Sequence, residues 1–194
     1  MYHIYHTHGL ILASRDSGEA NKILTIYTKE MGLVRALAQG IRLSKSKLKF
    51  SLQIFSYAHI DLVRGKDFWR LTSARSIDTY PKISLNKNSF TLVSRVFKLL
   101  ERLNFVEGQN DEIFEDLIFL LDLLNNEEVS NKRLEALEIS VVLRILKNLG
   151  YIGSSETISK YVNKGLEVED LEDILTDRKI IISHINKALS ESQL

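Results

Sequence analysis

The chain has 194 residues, a formal net charge of +1, 44% hydrophobic and 26% charged residues, and no cysteine. This balance is that of an ordinary folded protein, and the length suits one domain or two small ones. The lack of cysteine excludes disulfides, thiolate zinc sites and cysteine nucleophiles, and it fits a reducing cytoplasm. No apolar run approaches the roughly 18 residues that a membrane helix needs, and we expect no signal peptide and no membrane partner.

The small net charge conceals an uneven distribution along the chain. Residues 1–100 contain 16 lysines and arginines against 6 aspartates and glutamates, a balance of +10. Residues 101–194 contain 10 basic and 19 acidic residues, a balance of −9. A chain divided in this way is expected to present its basic half to a polyanion and to use its acidic half differently.

The first eighty residues show the period-two alternation that is typical of β-strands. Five short strands without a long amphipathic helix favour a small closed barrel, because closure removes exposed strand edges. An OB-type barrel is the leading expectation. An SH3-like barrel has a similar strand count and is the alternative that the pattern does not exclude. The predicted strands span residues 9–15, 22–28, 32–39, 52–62 and 68–75.

The second half is predicted to be helical. Pro81 is the only proline, and it marks the expected junction between a barrel domain at 1–80 and a helical domain at 81–194. After it the apolar period changes to about 3.6, which gives three amphipathic helices with stripes at 92–103, 113–124 and 134–149.

The third of these helices is apolar over so much of its surface that we expect it to run through the domain core, and Gly150 is well placed to end it. Two or three weaker helices follow, near residues 156–163, 169–175 and 178–191. The predicted fold class is therefore α+β, with a five-stranded OB-fold barrel followed by an all-α domain.

Cations gather in the loops of the predicted barrel. No acidic residue lies between Glu30 and Asp61, and the segment joining the third and fourth strands mixes cations with hydroxyls. These groups most often contact phosphate oxygens, and clustered cations gain affinity through counterion release. The loop between the fourth and fifth strands extends the patch, although a solvated basic loop is the alternative interpretation. The predicted nucleic-acid contacts are Arg35, Arg42, Lys45, Lys47, Lys49, Arg64, Lys66 and Arg70.

The aromatic residues of the barrel have two interpretations. Tyr27, Phe68 and Trp69 are available to stack on nucleic-acid bases. Aromatic residues of strands usually pack inward, however, so we expect these three in the barrel core.

The five histidines do not form a convincing reactive centre. His3, His6 and His8 are close in sequence, but a structural metal site needs about four ligands, so terminal histidines on a frayed segment are the preferred interpretation. His59 and His184 lie singly, without a nucleophile at a recognisable spacing. Since no phosphate-binding, dinucleotide-binding or nucleophile-elbow motif is present, we predict no catalytic residue, metal, cofactor or enzyme activity.

Several stretches of the first half are specific enough to compare with a known family. They are Thr7-His8-Gly9-Leu10-Ile11-Leu12, Lys22-Ile23-Leu24-Thr25-Ile26-Tyr27-Thr28, Ala38-Gln39-Gly40-Ile41-Arg42 with Lys45-Ser46, and Leu52-Gln53-Ile54-Phe55. Together they resemble the opening of the bacterial RecO recombination-mediator family. Leu149-Gly150-Tyr151 extends a looser resemblance into the helical half.

The resemblance implies a non-enzymatic protein of the RecF pathway that acts in the repair of DNA damage and in DNA recombination. Such a protein binds single- and double-stranded DNA, anneals complementary strands, and helps to load a recombinase onto strands coated with single-strand-binding protein (SSB). The implied partners are RecR and the C-terminal tail of SSB. The implied location is the cytoplasm, in association with the nucleoid.

The resemblance also bears on individual residues. It assigns DNA contact to Arg42 and Lys45, and it places Gln39 where a lysine is common. Many members of the family carry a four-cysteine zinc module after the Gly-Tyr pair. Here Gly150-Tyr151 leads into Ile152-Gly153-Ser154-Ser155 without any cysteine, so no zinc is expected.

Two other functions stay open on the residues alone. A basic OB barrel does not distinguish DNA from RNA, so an RNA-binding protein is the first alternative. The second is a protein-interaction adaptor, in which the acidic helical half is the functional surface.

Overall fold

The computed structural model describes residues 3–103, 108–163, 166, 171 and 173–192. The described residues form two compact units. The barrel unit contains those within Met1–Tyr80 and Asn104–Asn110, and the helical unit contains those within Pro81–Leu103 and Asp111–Leu194. None of the helices found in these ranges is long and apolar enough to cross a membrane.

Five strands close the barrel unit. They are β1 (Ile4–Ser17), β2 (Asn21–Thr28), β3 (Gly32–Ala38), β4 (Tyr57–Val63) and β5 (Trp69–Asp78). Their order around the barrel is β1-β2-β3-β5-β4, with β4 returning to pair with β1. Every neighbouring pair is antiparallel except β3 and β5, which run parallel. The OB-type barrel predicted from the sequence is confirmed, rather than its SH3-like alternative.

Alternating residues of these strands fill the barrel interior. Val34 and Ala36 of β3 and Ile60 and Leu62 of β4 are at most 6% exposed, while Arg35 and Asp61, which lie between them, are more exposed. The period of two in the sequence corresponds to the two faces of each strand. The interior cluster is made of Ile11, Leu24, Ile26, Val34, Ala36, Ala38, Ile41, Leu52, Ala58, Ile60, Leu62 and Leu71.

The predicted fourth strand begins too early. Residues 52–56 form a turn, which follows the short helix α1 (Leu48–Ser51), and β4 starts only at Tyr57. Phe55 has a φ of 72°, which a strand residue does not adopt. The N–H of Phe55 donates to the carbonyl of Ile11, and the N–H of Ile11 donates to the carbonyl of Ser56, each over 3.0 Å. The apolar residues of this segment therefore anchor a turn instead of alternating across a sheet.

The helical unit contains six α-helices in its described residues. They are α2 (Pro81–Leu85), α3 (Lys87–Leu103), α4 (Asp111–Asn126), α5 (Asn131–Asn148), α6 (Glu156–Val162) and α7 (Arg178–Glu191). Of the helix predicted at 169–175, Asp173–Leu175 forms a 3₁₀ turn, and residues 169, 170 and 172 lie outside the described residues. The central position predicted for the third long helix is confirmed, because α5 packs against α3, α4, α6 and α7.

The end of α5 follows the prediction for Gly150. This residue has a φ of 79°, which favours glycine. Its N–H donates to the carbonyl of Lys147, and the N–H of Tyr151 donates to the carbonyl of Leu146 over 2.8 Å. These two bonds form a Schellman motif, which satisfies carbonyls that the helix end would otherwise leave open.

Apolar packing and hydrogen bonds stabilise the cysteine-free segment that follows Gly150 and Tyr151. Ile158 of α6, Ile174 of the 3₁₀ turn and Ile181 of α7 are at most 1% exposed. The side chain of Ser155 accepts from the N–H of Ile158 and so caps α6. The hydroxyl of Tyr161 donates to Asp177 over 2.8 Å. This part of the helical unit is therefore stabilised without a metal ligand.

Candidate nucleic-acid interface

All eight residues predicted to contact nucleic acid are solvent-exposed in the barrel unit. For seven of them, the side chain makes no hydrogen bond or ion pair with another described residue. These seven are Arg35, Lys45, Lys47, Lys49, Arg64, Lys66 and Arg70. Their charges are therefore not neutralised by neighbouring carboxylates.

The parallel pairing of β3 with β5 brings two of these cations to one surface. Arg70 of β5 lies opposite Leu37 of β3 and opposite Val63 of β4. Arg35 lies two residues before Leu37 on β3, and since alternate residues share a face, Arg35 and Arg70 lie on the same outer face. Arg64 and Lys66 belong to the loop that leads into β5, so they continue the basic surface at this end of the barrel.

The loop after β3 is shaped by two consecutive turns. The N–H of Leu43 donates to the carbonyl of Gly40 over 3.1 Å, and the N–H of Ser46 donates to the carbonyl of Leu43 over 3.0 Å. Gly40 has a φ of 65°, a conformation that glycine adopts without strain. These turns expose Lys45 at the surface of the loop.

Arg42 differs from the other seven predicted contacts. Its guanidinium donates to the carbonyl of Gly18 over 3.0 Å and lies 3.3 Å from a carboxylate oxygen of Asp16. Its N–H donates to the carbonyl of Ala20 over 2.9 Å. Arg42 thus fastens the loop after β3 to the turn between β1 and β2, and its charge is partly neutralised before any phosphate arrives.

The short helix α1 continues the basic segment and packs against β5. Leu48 lies against the barrel interior, whereas Lys47 and Lys49 are exposed. Phe50 is 73% exposed. Phe50 is not among the predicted contacts, because hydrophobicity predicts burial for a phenylalanine and its place among lysines was the one signal in the sequence.

The three aromatic residues that were considered as base platforms have different surroundings. Tyr27 is fully buried, and burial raises the pKa of its hydroxyl, so it cannot stack on a base. Trp69 packs against the barrel interior and makes an edge-to-face contact with Tyr5 at 5.1 Å between ring centroids. Phe68 is 39% exposed, so the expectation of a core position is wrong for this residue.

The expectation that the N-terminal histidines are frayed is wrong for His6 and His8, while His3 precedes the first strand. His6 and His8 lie within β1, where residues 4–10 pair with β4. Nδ1 of His6 is 2.6 Å from a carboxylate oxygen of Asp61, and the ring centroids of His8 and His59 are 4.1 Å apart. Burial, followed by the charge of His59, lowers the pKa of His8. No group of three metal-ligating side chains occurs among the residues that the structure covers.

The helical unit presents a surface of another kind. A cavity of about 470 Å³ lies between α4, α5 and α6, and its lining includes Glu112, Glu115 and Asp116. Arg144 also lines this cavity, but its positive charge is paired with Asp116, since its Nε lies 2.6 Å from a carboxylate oxygen of that residue. A cavity lined by three carboxylates repels phosphate, so the basic surface of the barrel unit is the better candidate for a polyanion.

The chain was compared with known proteins. Residues 1–80 match the family model described as the N-terminal part of Recombination protein O. The DNA repair protein RecO of Dehalococcoides mccartyi is 30% identical over 124 residues, which cover 64% of this chain and 49% of the relative. The RecO protein of Clostridium novyi is 30% identical over 148 residues, which cover 76% of this chain and 57% of the relative.

A third relative extends the match further along the chain. The DNA repair protein RecO of Alkaliphilus metalliredigens is 28% identical over 162 residues, which cover 82% of this chain and 62% of the relative. The chain thus spans about half to three fifths of the length of the curated relatives that it matches. The resemblance seen in the sequence is confirmed, since residues 1–80 match the model of the RecO N-terminal part and the curated relatives that the chain matches are named DNA repair protein RecO.

Proposed function

We propose that this protein is a non-enzymatic, DNA-binding mediator of recombinational repair. In this function it anneals complementary strands and helps to load a recombinase onto single strands coated with SSB. The observation that carries the proposal is the set of seven exposed cations without side-chain partners in the barrel unit, defined above. The relatives are named DNA repair protein RecO, which supports the choice of DNA as the polyanion.

The cations available to contact phosphates lie on the strands of the barrel and on its loops. Arg35 and Arg70 occupy the outer face of β3 and β5, while Lys45, Lys47 and Lys49 project from the adjoining loop and helix α1. Such contacts are independent of base sequence, which suits a protein that must act on any single strand. Arg42 has a second role in this proposal, since it holds the loop in place through Asp16 and Gly18.

The division of labour follows the charges. The barrel domain at 1–80 binds single- and double-stranded DNA, and the helical domain at 81–194 offers sites to RecR and to the C-terminal tail of SSB. The carboxylates that line the cavity of the helical unit disfavour DNA binding there. A protein with these partners works in the cytoplasm, at the nucleoid.

Salt titration of oligonucleotide binding tests the phosphate contacts. Fluorescence anisotropy should give an affinity for single-stranded DNA that falls linearly in log K against log salt, with a slope of about −0.7 for each contact. A flat plot, or no binding near about 50 mM salt, would contradict the proposal. Equal or tighter binding to a matched RNA, without annealing of complementary DNA strands, would favour the RNA-binding alternative.

The protein partners need a separate measurement. A pull-down with the C-terminal tail peptide of SSB should retain the chain, and the same peptide in scrambled order is the control. Retention of the chain by the peptide together with absent DNA binding would favour the adaptor alternative.

A further inference from the structure

Phe50 is held at the surface by the residues on either side of it. The helix α1 comprises only Leu48–Ser51, and Leu48 packs against the barrel interior while Leu52 is 4% exposed within it. Residues four apart lie on one side of a helical turn, so Leu48 and Leu52 both face inward. Phe50 is two residues from each of them and therefore lies on the opposite, outward side. The exposure of Phe50 therefore follows from how α1 is anchored.

Exposed apolar side chains occur at three positions of this basic segment. Leu43 and Ile54 are 57% and 46% exposed, and Phe50 is 73% exposed. Lys47 and Lys49 lie on either side of the helix start, and no acidic residue occurs between Glu30 and Asp61. A surface of this composition is complementary to a chain that has negative charges at regular intervals and flat apolar faces between them. Single-stranded nucleic acid has this chemistry.

We propose that Phe50 is the residue of the barrel unit on which bases stack, with Lys47 and Lys49 holding the adjacent phosphates. This inference rests on the proposed function and specifies how the barrel prefers single strands. Bases of a single strand are free to stack on an aromatic ring, and every base has a face that can do so. In a duplex the bases are already stacked inside the helix, so a duplex can use only the lysines.

The test compares single-stranded and duplex DNA of the same sequence, about 20 nucleotides long so that one protein is accommodated. Phe50→Ala should weaken binding to the single strand by about 5-fold or more, because loss of one stacked base costs at least about that factor. Binding to the duplex should change by less than about 2-fold, and the salt slope for both ligands should stay as in the wild type. Phe50→Trp should restore most of the affinity for the single strand.

Two controls separate stacking from charge and from damage to the fold. Phe90→Ala removes a phenylalanine that is 45% exposed in the helical unit, and it should leave both affinities unchanged. The double variant Lys47→Ala with Lys49→Ala should weaken single-strand and duplex binding together and should flatten both salt slopes. A strand that contains 2-aminopurine reports stacking directly, and its fluorescence should be quenched by the wild type and not by Phe50→Ala.

The possible failures are distinguishable. If the wild type binds no single strand, the proposed function fails. If Phe50→Ala binds single strands as the wild type does, or loses single-strand and duplex binding equally, the stacking assignment is overturned while the proposed function stands. Loss of RecR or SSB-tail binding in Phe50→Ala, with both DNA affinities intact, would assign Phe50 to a protein partner instead.

Discussion

Three arginines of the helical unit and most of the predicted nucleic-acid contacts of the barrel unit differ in whether a carboxylate lies beside them. In the helical unit, Arg144 is paired with Asp116, Arg95 with Glu138 and Arg178 with Glu135. In the barrel unit, the seven exposed cations have no such partners among the described residues, and Arg42 is the one predicted contact that is paired. The difference teaches that the number of charges is a poor guide to a binding surface. What matters is how many charges the fold leaves without a counterion.

The strongest test of this comparison is the ion pair inside the helical unit. Arg144 and Asp116 side chains are each 5% exposed, with Nε and Oδ2 2.6 Å apart. Asp116→Ala removes this carboxylate from the buried guanidinium, which also donates to the carbonyl of Val162, so we expect the free energy of unfolding to fall by about 3–5 kcal/mol. Chemical denaturation followed by circular dichroism measures this change.

The matched control is Glu138→Ala, which breaks the exposed pair with Arg95 and should cost less than about 1 kcal/mol. Equal losses for the two variants would mean that burial does not distinguish the two pairs.

The second test concerns the unpaired cations. Replacing Lys45, Lys47 and Lys49 together by alanine should reduce the salt slope for single-stranded DNA by about 2, because each lost phosphate contact removes roughly 0.7. The control replaces three exposed lysines of the helical unit, Lys82, Lys87 and Lys179, and should leave the slope unchanged. If both triple variants lower the slope equally, the two units do not differ in their contact with phosphate.

A smaller effect on DNA affinity is expected at Arg42, the one predicted contact that has a carboxylate partner. Asp16 partly neutralises Arg42, and both side chains are more than a third exposed. Asp16→Ala should free the guanidinium for phosphate and tighten single-strand binding about 2-fold at low salt, since exposed pairs contribute less than about 1 kcal/mol. Asp78→Ala, at an exposed carboxylate elsewhere in the barrel unit, is the control for the change in net charge. Weaker binding in Asp16→Ala would mean that the tether matters more than the charge.

The smallest effect concerns the pH dependence of the barrel unit. Burial lowers the pKa of His8 in the folded state, so the unfolded chain binds a proton more readily as the pH falls below about 6.5. This contribution to stability is present above that pH and is lost as the pH falls through the lowered pKa. The thermal midpoint of the barrel should therefore be lower at pH 5 than at pH 7.5, and His8→Gln should reduce the difference. An unchanged difference in His8→Gln would assign the pH dependence to other groups.

The features that were predicted correctly are those set by local chemistry. The strands β2 and β3, the helix end at Gly150 and the central helix α5 each depend on residues that are close in sequence. The misjudged features depend on distant partners. His6 is ordered because β1 pairs with β4 and brings Asp61 to it, and the turn at Phe55 is fixed by hydrogen bonds with Ile11. The spacing of residues 52–56 cannot reveal those bonds.

In the candidate site, too, the features set by local sequence could be predicted and those set by distant partners could not. The cations of the loop after β3 could be selected from their number and from the absence of acids around them. Their freedom from ion pairs could not, because Arg42 and Lys45 look equivalent in sequence and differ only through contact with Asp16. Phe50 illustrates the same limit for an apolar residue, since hydrophobicity predicts burial and only the anchoring of α1 reverses it.

The apolar packing around Ile158, Ile174 and Ile181 determines which cellular conditions the helical unit responds to. A module held by zinc gains stability with the free metal concentration, and its thiolates are exposed to oxidants and chelators. A cysteine-free segment held by isoleucines has neither dependence. Its stability varies with temperature instead, because the hydrophobic contribution weakens on cooling. Neither removal of zinc nor oxidation of thiols is therefore expected to unfold this segment.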